Sequence, residues 1–219
     1  MELSYWESRW KKDKTGFHMP GGYSALKSHW PKLTLPEAPA VLVPLCGKSA
    51  DMIFMENQGA HVTGVEISEK AVRSFFKEND RNFETDTYAD FTIRRSGNIQ
   101  IWQGDFMKFP DTKGGFDLIY DKAAIVALPP KKRPLYADKV LSLSGPGTQI
   151  LIHHFIYPQQ EMPGPPFSVG SEEIDSYFSH RFSSRLLEEN EIPAGEFIPF
   201  QRRGLESPLT ERFILMKPR

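Results

Sequence analysis

The stretch from Val41 to Glu69 constrains the fold of this chain more than any other. It contains an apolar run over Val41–Leu45, a tight turn at Gly47, a helical stretch that ends at Gly59, and a second apolar segment over His61–Val65. A continuous apolar run is typical of a strand that is buried on both faces, and glycine lets the backbone turn sharply. The pattern predicts a βαβ unit of the kind that binds nucleosides.

An acidic residue closes the second predicted strand. Glu66 follows the turn by roughly 20 residues, where a carboxylate accepts both hydroxyls of a ribose. The turn Pro44-Leu-Cys-Gly-Lys-Ser49 has one glycine where a dinucleotide-binding turn has three, and it lacks the first glycine of a P-loop. S-adenosylmethionine carries no phosphate and tolerates this bulkier turn, so it is the favoured cofactor. An ordinary strand-to-helix turn stays open as the alternative.

Composition limits the class of protein. The chain has 219 residues, a formal net charge of −1 at pH 7 and a single cysteine, Cys46. The length favours one domain over residues 1–219, the mixed charges provide no basic stripe for nucleic acid, and one cysteine excludes an intramolecular disulfide. The N-terminus has no basic start followed by an apolar core, and no apolar stretch approaches the roughly 18 residues that span a bilayer. We therefore expect a cytoplasmic monomer with no nucleic-acid or membrane partner.

Strand and helix patterns alternate through the rest of the chain, which predicts one α/β domain with a mainly parallel sheet. The predicted strands are Ile99–Gln103, Phe116–Asp121, Gln149–Phe155, Ser183–Glu188 and Thr210–Lys217. The predicted helices are Ala71–Glu78, Pro134–Ser144 and Ser171–Ser179. Gly145-Pro-Gly147 is expected to separate a helix from the strand that follows, and residues 79–96 show no regular pattern.

Ligands of open parallel sheets gather at the carboxyl ends of the strands. Those ends carry Leu45, Cys46, Gly47, Glu66, Gly104, Asp105, Asp121 and Lys122. Asp105 either accepts the exocyclic amine of an adenine or caps the segment that follows it. Asp121 either faces a sulfonium, pairs with Lys122, or lies at a solvated strand end. His153 and His154 lie within an apolar strand without further ligands at matching spacing, so no metal site is predicted.

Several ordered blocks of the chain resemble the thiopurine S-methyltransferase family, from near the first residue to about residue 170. The blocks are Trp6-x-x-x-Trp10 with Thr15-Gly-Phe-His18, Val43-Pro-Leu-Cys-Gly-Lys-Ser49, Gly64-Val-Glu-Ile-Ser-Glu69, Tyr120-Asp-Lys-Ala-Ala-Ile-Val-Ala-Leu-Pro129, Gly164-Pro-Pro-Phe-Ser-Val169 and, more weakly, Thr210-Glu-Arg-Phe-Ile-Leu215. The resemblance implies an α/β, Rossmann-like class I methyltransferase. Its sheet would have seven mainly parallel strands, helices on both faces and a reversed C-terminal hairpin, with residues 1–30 as an N-terminal lid.

The resemblance also implies roles for individual residues. Contacts with S-adenosylmethionine, which leaves as S-adenosylhomocysteine, are expected from Trp6, Trp10, Leu45, Gly47, Glu66, Ile67, Gly104, Asp105, Asp121 and Lys122. Contacts with the acceptor are expected from Phe17, Phe167, Arg202 and Arg203. The family usually has Asp-Arg where this chain has Asp121 followed by Lys122. A lysine keeps the charge but loses the planar fork of a guanidinium.

The implied activity is methyl transfer to the sulfur of an aromatic or heterocyclic thiol. Such a thiol is already partly ionised near neutral pH, so positioning should dominate, and no residue is assigned as a catalytic base. Asp121 and Lys122 remain candidates for orienting groups. Two alternatives stay open: a methyltransferase for halide, thiocyanate or metalloid (selenium or tellurium) acceptors, and a non-catalytic protein that binds S-adenosylmethionine. A nicotinamide oxidoreductase would need the glycine-rich turn that is absent here.

Overall fold

The computed structural model describes residues 3–16, 18–111, 115–196 and 198–219. The helices within these residues are α1 (Leu3–Lys11), α2 (Ser24–His29), α3 (Asp51–Asn57), α4 (Glu69–Glu78), α5 (Arg133–Leu143), α6 (Ser171–Phe178) and α7 (Ile198–Gln201). The strands are β1 (Ala40–Pro44), β2 (His61–Glu66), β3 (Glu84–Tyr88), β4 (Phe91–Ser96), β5 (Ile99–Gln103), β6 (Phe116–Lys122), β7 (Ser144–Ile156), β8 (Phe182–Ile192) and β9 (Leu209–Pro218).

The predicted βαβ unit is present. Strands β1 and β2 pair in parallel, with Val41 opposite Val62 and Pro44 opposite Val65. Helix α3 connects them, and Gly59 follows it with a φ of 88°, a conformation that glycine adopts without steric cost. Glu66 is the last residue of β2, so its carboxylate stands at the edge of the sheet where β1 also ends.

Within the described residues the strands form one sheet in the order β3-β4-β5-β2-β1-β6-β7-β9-β8. The predicted reversed C-terminal hairpin is confirmed, because β9 runs antiparallel to both β7 and β8. The expected strand number of seven needs correction to nine. The stretch from β5 to β8 contains the seven expected strands, and the antiparallel hairpin of β3 and β4 extends the sheet beyond β5.

The additional hairpin falls in residues 79–96, where the sequence pattern is irregular. All five residues of β3 are exposed, so the strand lacks the apolar alternation that marks a half-buried strand. The turn is Ala89-Asp90, with Ala89 at a φ of 48°, instead of the Asn-Gly or Asp-Gly pair that signals a hairpin. The hairpin is therefore visible only once β4 is paired with β5.

Gly145-Pro-Gly147 is part of β7 and does not separate it from α5. The pairing of β6 with β7 passes from Phe116 opposite Ser144 to Leu118 opposite Gln149, so residues 145–148 form a bulge. Thr148 closes the bulge by accepting the amide of Gly145 at 2.7 Å and donating to the carbonyl of Phe116 at 2.6 Å. The regular pairing resumes at Gln149, where the strand was predicted to begin.

Helices cover both faces of the sheet, as expected. One core contains Tyr136 and Val140 of α5 and Ile174 and Phe178 of α6. The opposite core contains Leu26 of α2 together with residues of α3 and α4. The sheet is thus buried between two layers, which leaves the carboxyl ends of its parallel strands as the edge that can receive a ligand.

Candidate active site

The strand order brings four of the predicted cofactor positions to one edge. Strands β5, β2, β1 and β6 are neighbours and parallel, so their carboxyl ends lie side by side. Glu66 ends β2, Lys122 ends β6, and Gly104 directly follows β5. Leu45 follows β1 with a φ of 48°, a strained conformation for a residue with a side chain. Strain of this kind is concentrated at functional sites.

Glu66 is bound to the turn after β1. Its side chain is buried at 5% exposure, and its Oε2 accepts the amide of Gly47 at 2.9 Å. Its Oε1 accepts the amide of Ser68 at 2.7 Å. Burial raises the pKa of Glu66 to about 7, although the backbone amides of Ser68, Gly47 and Ile67 oppose that shift. The carboxylate is therefore held in a fixed direction and titrates near neutral pH.

Trp10 of α1 closes over the same turn. Gly47 has a φ of 54°, and a Cβ added there would lie 3.1 Å from the Trp10 ring. The backbone conformation thus favours glycine at this position, and a larger residue would in addition crowd the indole. Lys70 of α4 fastens the end of α1 by donating to Asp13 Oδ1 at 2.7 Å. Trp6 is half-buried on the same helix, with its ring edge-on to a neighbouring tyrosine.

Gly104 and Asp105 form the turn after β5. The amide of Gly104 donates to the carbonyl of Glu66 at 2.9 Å, and the Phe91 ring leaves no space for a Cβ on Gly104. Asp105 Oδ1 accepts the amide of Met107 at 3.0 Å, which caps the short 3₁₀ helix that follows. The capping interpretation of Asp105 is present in the structure, and its expected adenine contact stays a prediction.

The Asp121 carboxylate is directed into the protein. It is 2% exposed and accepts the amides of Ala124 at 2.6 Å and Ile125 at 3.2 Å. Tyr136 of α5 donates its hydroxyl to Asp121 Oδ2 at 2.8 Å. Burial raises the pKa of Asp121 to about 6, with the Tyr136 hydroxyl as the largest opposing influence. The visible role of this carboxylate is to hold the turn after β6, and the expected contact with the cofactor stays a prediction.

Lys122 contacts two residues that precede α2, Met19 and Tyr23. Its Nζ is 3.3 Å from Met19 Sδ and 5.5 Å from the centroid of the Tyr23 ring. Burial lowers the pKa of Lys122, while Asp51 and Glu211 oppose the shift. Within the part of the chain that the structure describes, no carboxylate approaches Nζ within ion-pair distance. The ammonium group thus keeps hydrogen-bonding capacity for another partner.

Asp51, which was not among the residues predicted from the sequence, anchors Tyr23 to the sheet. Its side chain is 1% exposed; Oδ1 accepts the amide of Tyr23 at 2.6 Å, and Oδ2 accepts the hydroxyl of Tyr120 at 3.0 Å. A Cβ on Gly22 would lie 2.6 Å from Oδ1, so only glycine fits there. This buried acid thus connects Tyr23, just before α2, to Tyr120 of β6.

Of the four predicted acceptor residues, the structure brings Phe167 and Arg203 to the same loop. Phe167 is half-buried; its amide donates to the carbonyl of Val126 at 2.6 Å and its ring lies against Gly164. Arg203 donates to the carbonyl of Pro163, so the structure brings it to the same loop, whereas the side chain of Arg202 is exposed. Phe17 lies outside the described residues.

A polar groove of about 460 Å³ runs between α1 and α4, beside the end of β5. Its lining is formed by Glu7, Lys11, Ser68, Glu69, Lys70, Arg73, Ser74, Lys77 and Gln103. Ser68 lines this groove and donates its amide to Glu66, but none of the predicted cofactor residues is among the lining residues.

Two further residues that organise the site were not among the sequence-based candidates. Ser68 caps α4 by accepting the amide of Ala71 at 3.3 Å, and a serine before Glu69 and the apolar face of that helix is a recognisable N-cap signal. Tyr136, the partner of Asp121, carries no such signal, because it looks like one more apolar residue of an amphipathic helix. Only the packing of α5 against the turn after β6 identifies it.

The described residues contain neither a cluster of metal ligands nor a membrane-spanning helix. Among them, no group of three or more histidine, cysteine, aspartate or glutamate side chains is arranged to hold a metal ion. None of their helices is both long enough and apolar enough to cross a bilayer.

The chain is similar in sequence to known proteins over nearly its whole length. Thiopurine S-methyltransferase of Nitrosospira multiformis is 38% identical over 217 residues, which are 99% of this chain and 98% of that relative. The enzyme of the same name from Marinobacter nauticus is 36% identical over 220 residues, covering 99% of this chain and 100% of the relative.

Solved structures share the fold. The 1,6-didemethyltoxoflavin-N1-methyltransferase of Burkholderia thailandensis, crystallised with S-adenosylhomocysteine, superposes with a TM-score of 0.62 at 14% identity, covering 98% of this chain and 86% of that one. An S-adenosylmethionine-dependent methyltransferase from Anabaena variabilis superposes with the same TM-score of 0.62 at 14% identity, covering 99% and 95% of the two chains. Such neighbours establish a Rossmann-like class I methyltransferase fold.

One family model matches almost the whole length of the chain. The thiopurine S-methyltransferase (TPMT) model covers residues 1–211, which include the carboxyl ends of β1, β2, β5 and β6. The chain belongs to the thiopurine S-methyltransferase family.

Proposed function

We propose that the protein transfers a methyl group from S-adenosylmethionine to the sulfur of an aromatic or heterocyclic thiol. The observation that carries the proposal is the arrangement of Glu66, Gly47 and Trp10 at the carboxyl edge of the sheet, in a chain that belongs to this family. The arrangement combines a carboxylate of fixed orientation, a turn that lacks the glycines of a pyrophosphate-binding site, and an aromatic ring that packs against the turn. These are the features that a neutral nucleoside with a charged sulfonium requires.

The residues present fit the cofactor. A carboxylate has about four lone-pair positions, and the two backbone amides on Glu66 use one on each oxygen. Each oxygen can therefore accept one hydroxyl of a ribose diol. Trp10 would cover the nucleoside, and the turn residues Leu45 and Gly47 would bring backbone close to it. When bound, S-adenosylmethionine supplies an electrophilic methyl group on a sulfonium.

The chain contributes position and exclusion of water to the reaction. Holding a nucleophile and an electrophile in a near-attack arrangement is worth roughly 7–11 kcal/mol of barrier. Phe167 offers an aromatic wall for a flat acceptor, and Lys122, which keeps hydrogen-bonding capacity, supplies a positive charge beside the strand ends. A positive charge stabilises the thiolate form of the acceptor, so a dedicated base is not needed.

The proposal includes residues 1–30 as a lid. Two contacts support it: the indole of Trp10 lies on Gly47, and Lys70 ties Asp13 to α4. We also propose a cytoplasmic monomer without nucleic-acid partners, in line with the net charge of −1. Light scattering during size-exclusion chromatography measures the oligomeric state, and a dimer would contradict the proposed monomer.

Methyl transfer from S-adenosylmethionine to a panel of acceptors tests the function. The panel contains a heteroaromatic thiol, iodide, thiocyanate and selenite, with S-adenosylhomocysteine measured as the common product. We expect the highest kcat/KM for the heteroaromatic thiol. Faster turnover of iodide, thiocyanate or selenite would favour the alternative acceptors. Tight binding of S-adenosylhomocysteine without turnover of any acceptor would identify a binding protein instead.

A further inference from the structure

Arg133 has a placement that fold stability does not explain. It is the first residue of α5, where the helix dipole disfavours a positive charge, and its side chain is only 2% exposed. Burying a guanidinium contributes little to stability compared with an apolar residue of the same volume, because the charge loses its hydration, and its partner Glu173 stays partly exposed. The position of this guanidinium therefore calls for a different explanation.

The guanidinium is held in one plane by its hydrogen bonds. Nη1 donates to both carboxylate oxygens of Glu173, at 2.9 and 2.8 Å, and Nε donates to the carbonyl of Leu128 at 3.0 Å. Tyr177 steadies the acceptor by donating its hydroxyl to Glu173 Oε1 at 2.8 Å. Nη2 is buried and meets no hydrogen-bond partner among the described residues. The Arg133 guanidinium thus has a fixed orientation, although the hydrogen-bonding capacity of Nη2 is unused among the described residues.

The aromatic ring of Phe167 is the neighbour of that plane. The central carbon of the guanidinium lies 5.6 Å from the centroid of the ring, within cation–π distance. The ring also lies against Gly164, where an added Cβ would come within 2.3 Å of it. The backbone of the loop is pinned separately, by Phe167 to Val126 at 2.6 Å and by Val169 to Phe155 at 2.9 Å. Arg133 and Gly164 are therefore two contacts that restrict the orientation of the ring, whereas the backbone of the loop is held by other groups.

We propose that Arg133 is a positioning residue that fixes the plane of Phe167 and thereby favours flat aromatic acceptors over small ones. The inference rests on the proposed function, because it assumes that Phe167 forms the wall of the acceptor pocket. A lysine at this position keeps the positive charge but cannot present a planar face. With lysine there, the Phe167 ring is expected to adopt several orientations and to make less contact with a flat acceptor.

Arg133→Lys is the first test. We expect its KM for a heteroaromatic thiol to rise about tenfold, with kcat, the KM for iodide and the Kd for S-adenosylhomocysteine all within twofold of the unmodified protein. Arg181→Lys is the matched control. Arg181 also lies over a ring, 5.8 Å from the centroid of Phe182, and donates to the carbonyl of Leu141 at 2.8 Å. Equal losses for the thiol and iodide, or equal effects of the two substitutions, would overturn the inference.

A double substitution separates positioning from general destabilisation. If Arg133 acts through the ring, Arg133→Lys combined with Phe167→Leu should have the same KM as Phe167→Leu alone, because the coupling is lost with the ring. Additive losses would contradict this. Should Arg133→Lys fail to fold, Glu173→Gln loosens the same guanidinium, and we expect about a threefold rise in KM for the thiol only.

Failure of the proposed function has a different signature. Binding of the heteroaromatic thiol to the protein saturated with S-adenosylhomocysteine is measured by calorimetry, independently of turnover. Loss of thiol affinity in Arg133→Lys without turnover in any variant would retain the inference and refute the activity. Absence of thiol binding by the unmodified protein would refute both.

Discussion

At the scale of single residues, the site depends on one buried acid. Glu66 is fixed by two backbone amides, so its remaining lone pairs point in defined directions. The same burial that directs the carboxylate raises its pKa to about 7. Binding strength and pH dependence are therefore two consequences of one placement.

Replacing the acid tests the placement of the nucleoside. Glu66→Ala should weaken binding of S-adenosylhomocysteine by about 1–3 kcal/mol, or roughly 5- to 150-fold, because charge-assisted hydrogen bonds to the ribose are lost. Isothermal calorimetry measures the change. Glu84→Ala, at an exposed position of β3, is the control and should leave affinity unchanged. An unaltered Kd for Glu66→Ala would remove the ribose contact from the proposal.

The pH dependence of binding follows from the same group. The ionised carboxylate accepts two hydroxyls, whereas the protonated form must donate one hydrogen, so affinity falls as pH decreases through the pKa of about 7. We expect the Kd for S-adenosylhomocysteine to be about tenfold higher at pH 6 than at pH 8. Glu66→Gln cannot titrate and should show a flat profile over this range. A profile in Glu66→Gln as steep as that of the unmodified protein would assign the titration elsewhere.

At the scale of elements, the turn after β6 joins the sheet to α5. Asp121 accepts two backbone amides of the turn and the hydroxyl of Tyr136, so one carboxylate ties a strand end, a turn and a helix together. Lys122 follows immediately and reaches the segment between α1 and α2. The turn thus sets where the positive charge of the site lies.

Tyr136→Phe tests this junction. Removal of the hydroxyl should reduce the free energy of unfolding by about 1.5–3 kcal/mol, the usual value of a hydrogen bond to a charged group. The pKa of Asp121 is about 6, raised by burial, so the carboxylate is ionised at pH 8 and largely protonated at pH 5. The loss should therefore be larger at pH 8 than at pH 5. Urea denaturation measures both, with Tyr88→Phe at an exposed site as control.

At the scale of the whole molecule, sheet order creates the site. Parallel neighbours β5, β2, β1 and β6 end at one edge, and helices cover both faces, so the carboxyl ends of these strands are where a ligand is expected to bind. The N-terminal helix reaches that edge from outside and is fastened to α4 through Lys70. Binding should accordingly stabilise the fold as a unit.

Thermal unfolding measures that stabilisation. At a hundredfold excess over Kd, a ligand that binds only the folded state contributes about 2.7 kcal/mol. For a chain of 219 residues this corresponds to a rise in Tm of roughly 5–11 °C with S-adenosylhomocysteine. NAD at the same concentration is the control, because the turn after β1 lacks the glycines that a pyrophosphate requires. Comparable shifts with both ligands would contradict the selectivity of the site.

Local patterns in the sequence determined the βαβ unit, the acid at the end of β2 and the helices that flank the sheet. These features follow from apolar periodicity, turn chemistry and helix caps, which act over a few residues and leave a visible signal. The family motifs added the class of fold and the identity of the expected ligands, because they extend the comparison to most of the chain.

Tertiary structure alone decided the remaining features. The β3–β4 hairpin has exposed residues and an alanine in its turn, so its pairing is specified by the edge of β5. The hydrogen bond from Tyr136 to Asp121 joins residues 15 positions apart, and the ion pair of Arg133 with Glu173 joins residues 40 positions apart. A residue type states which hydrogen bonds a side chain can form, but only packing determines which partners are near enough to form them.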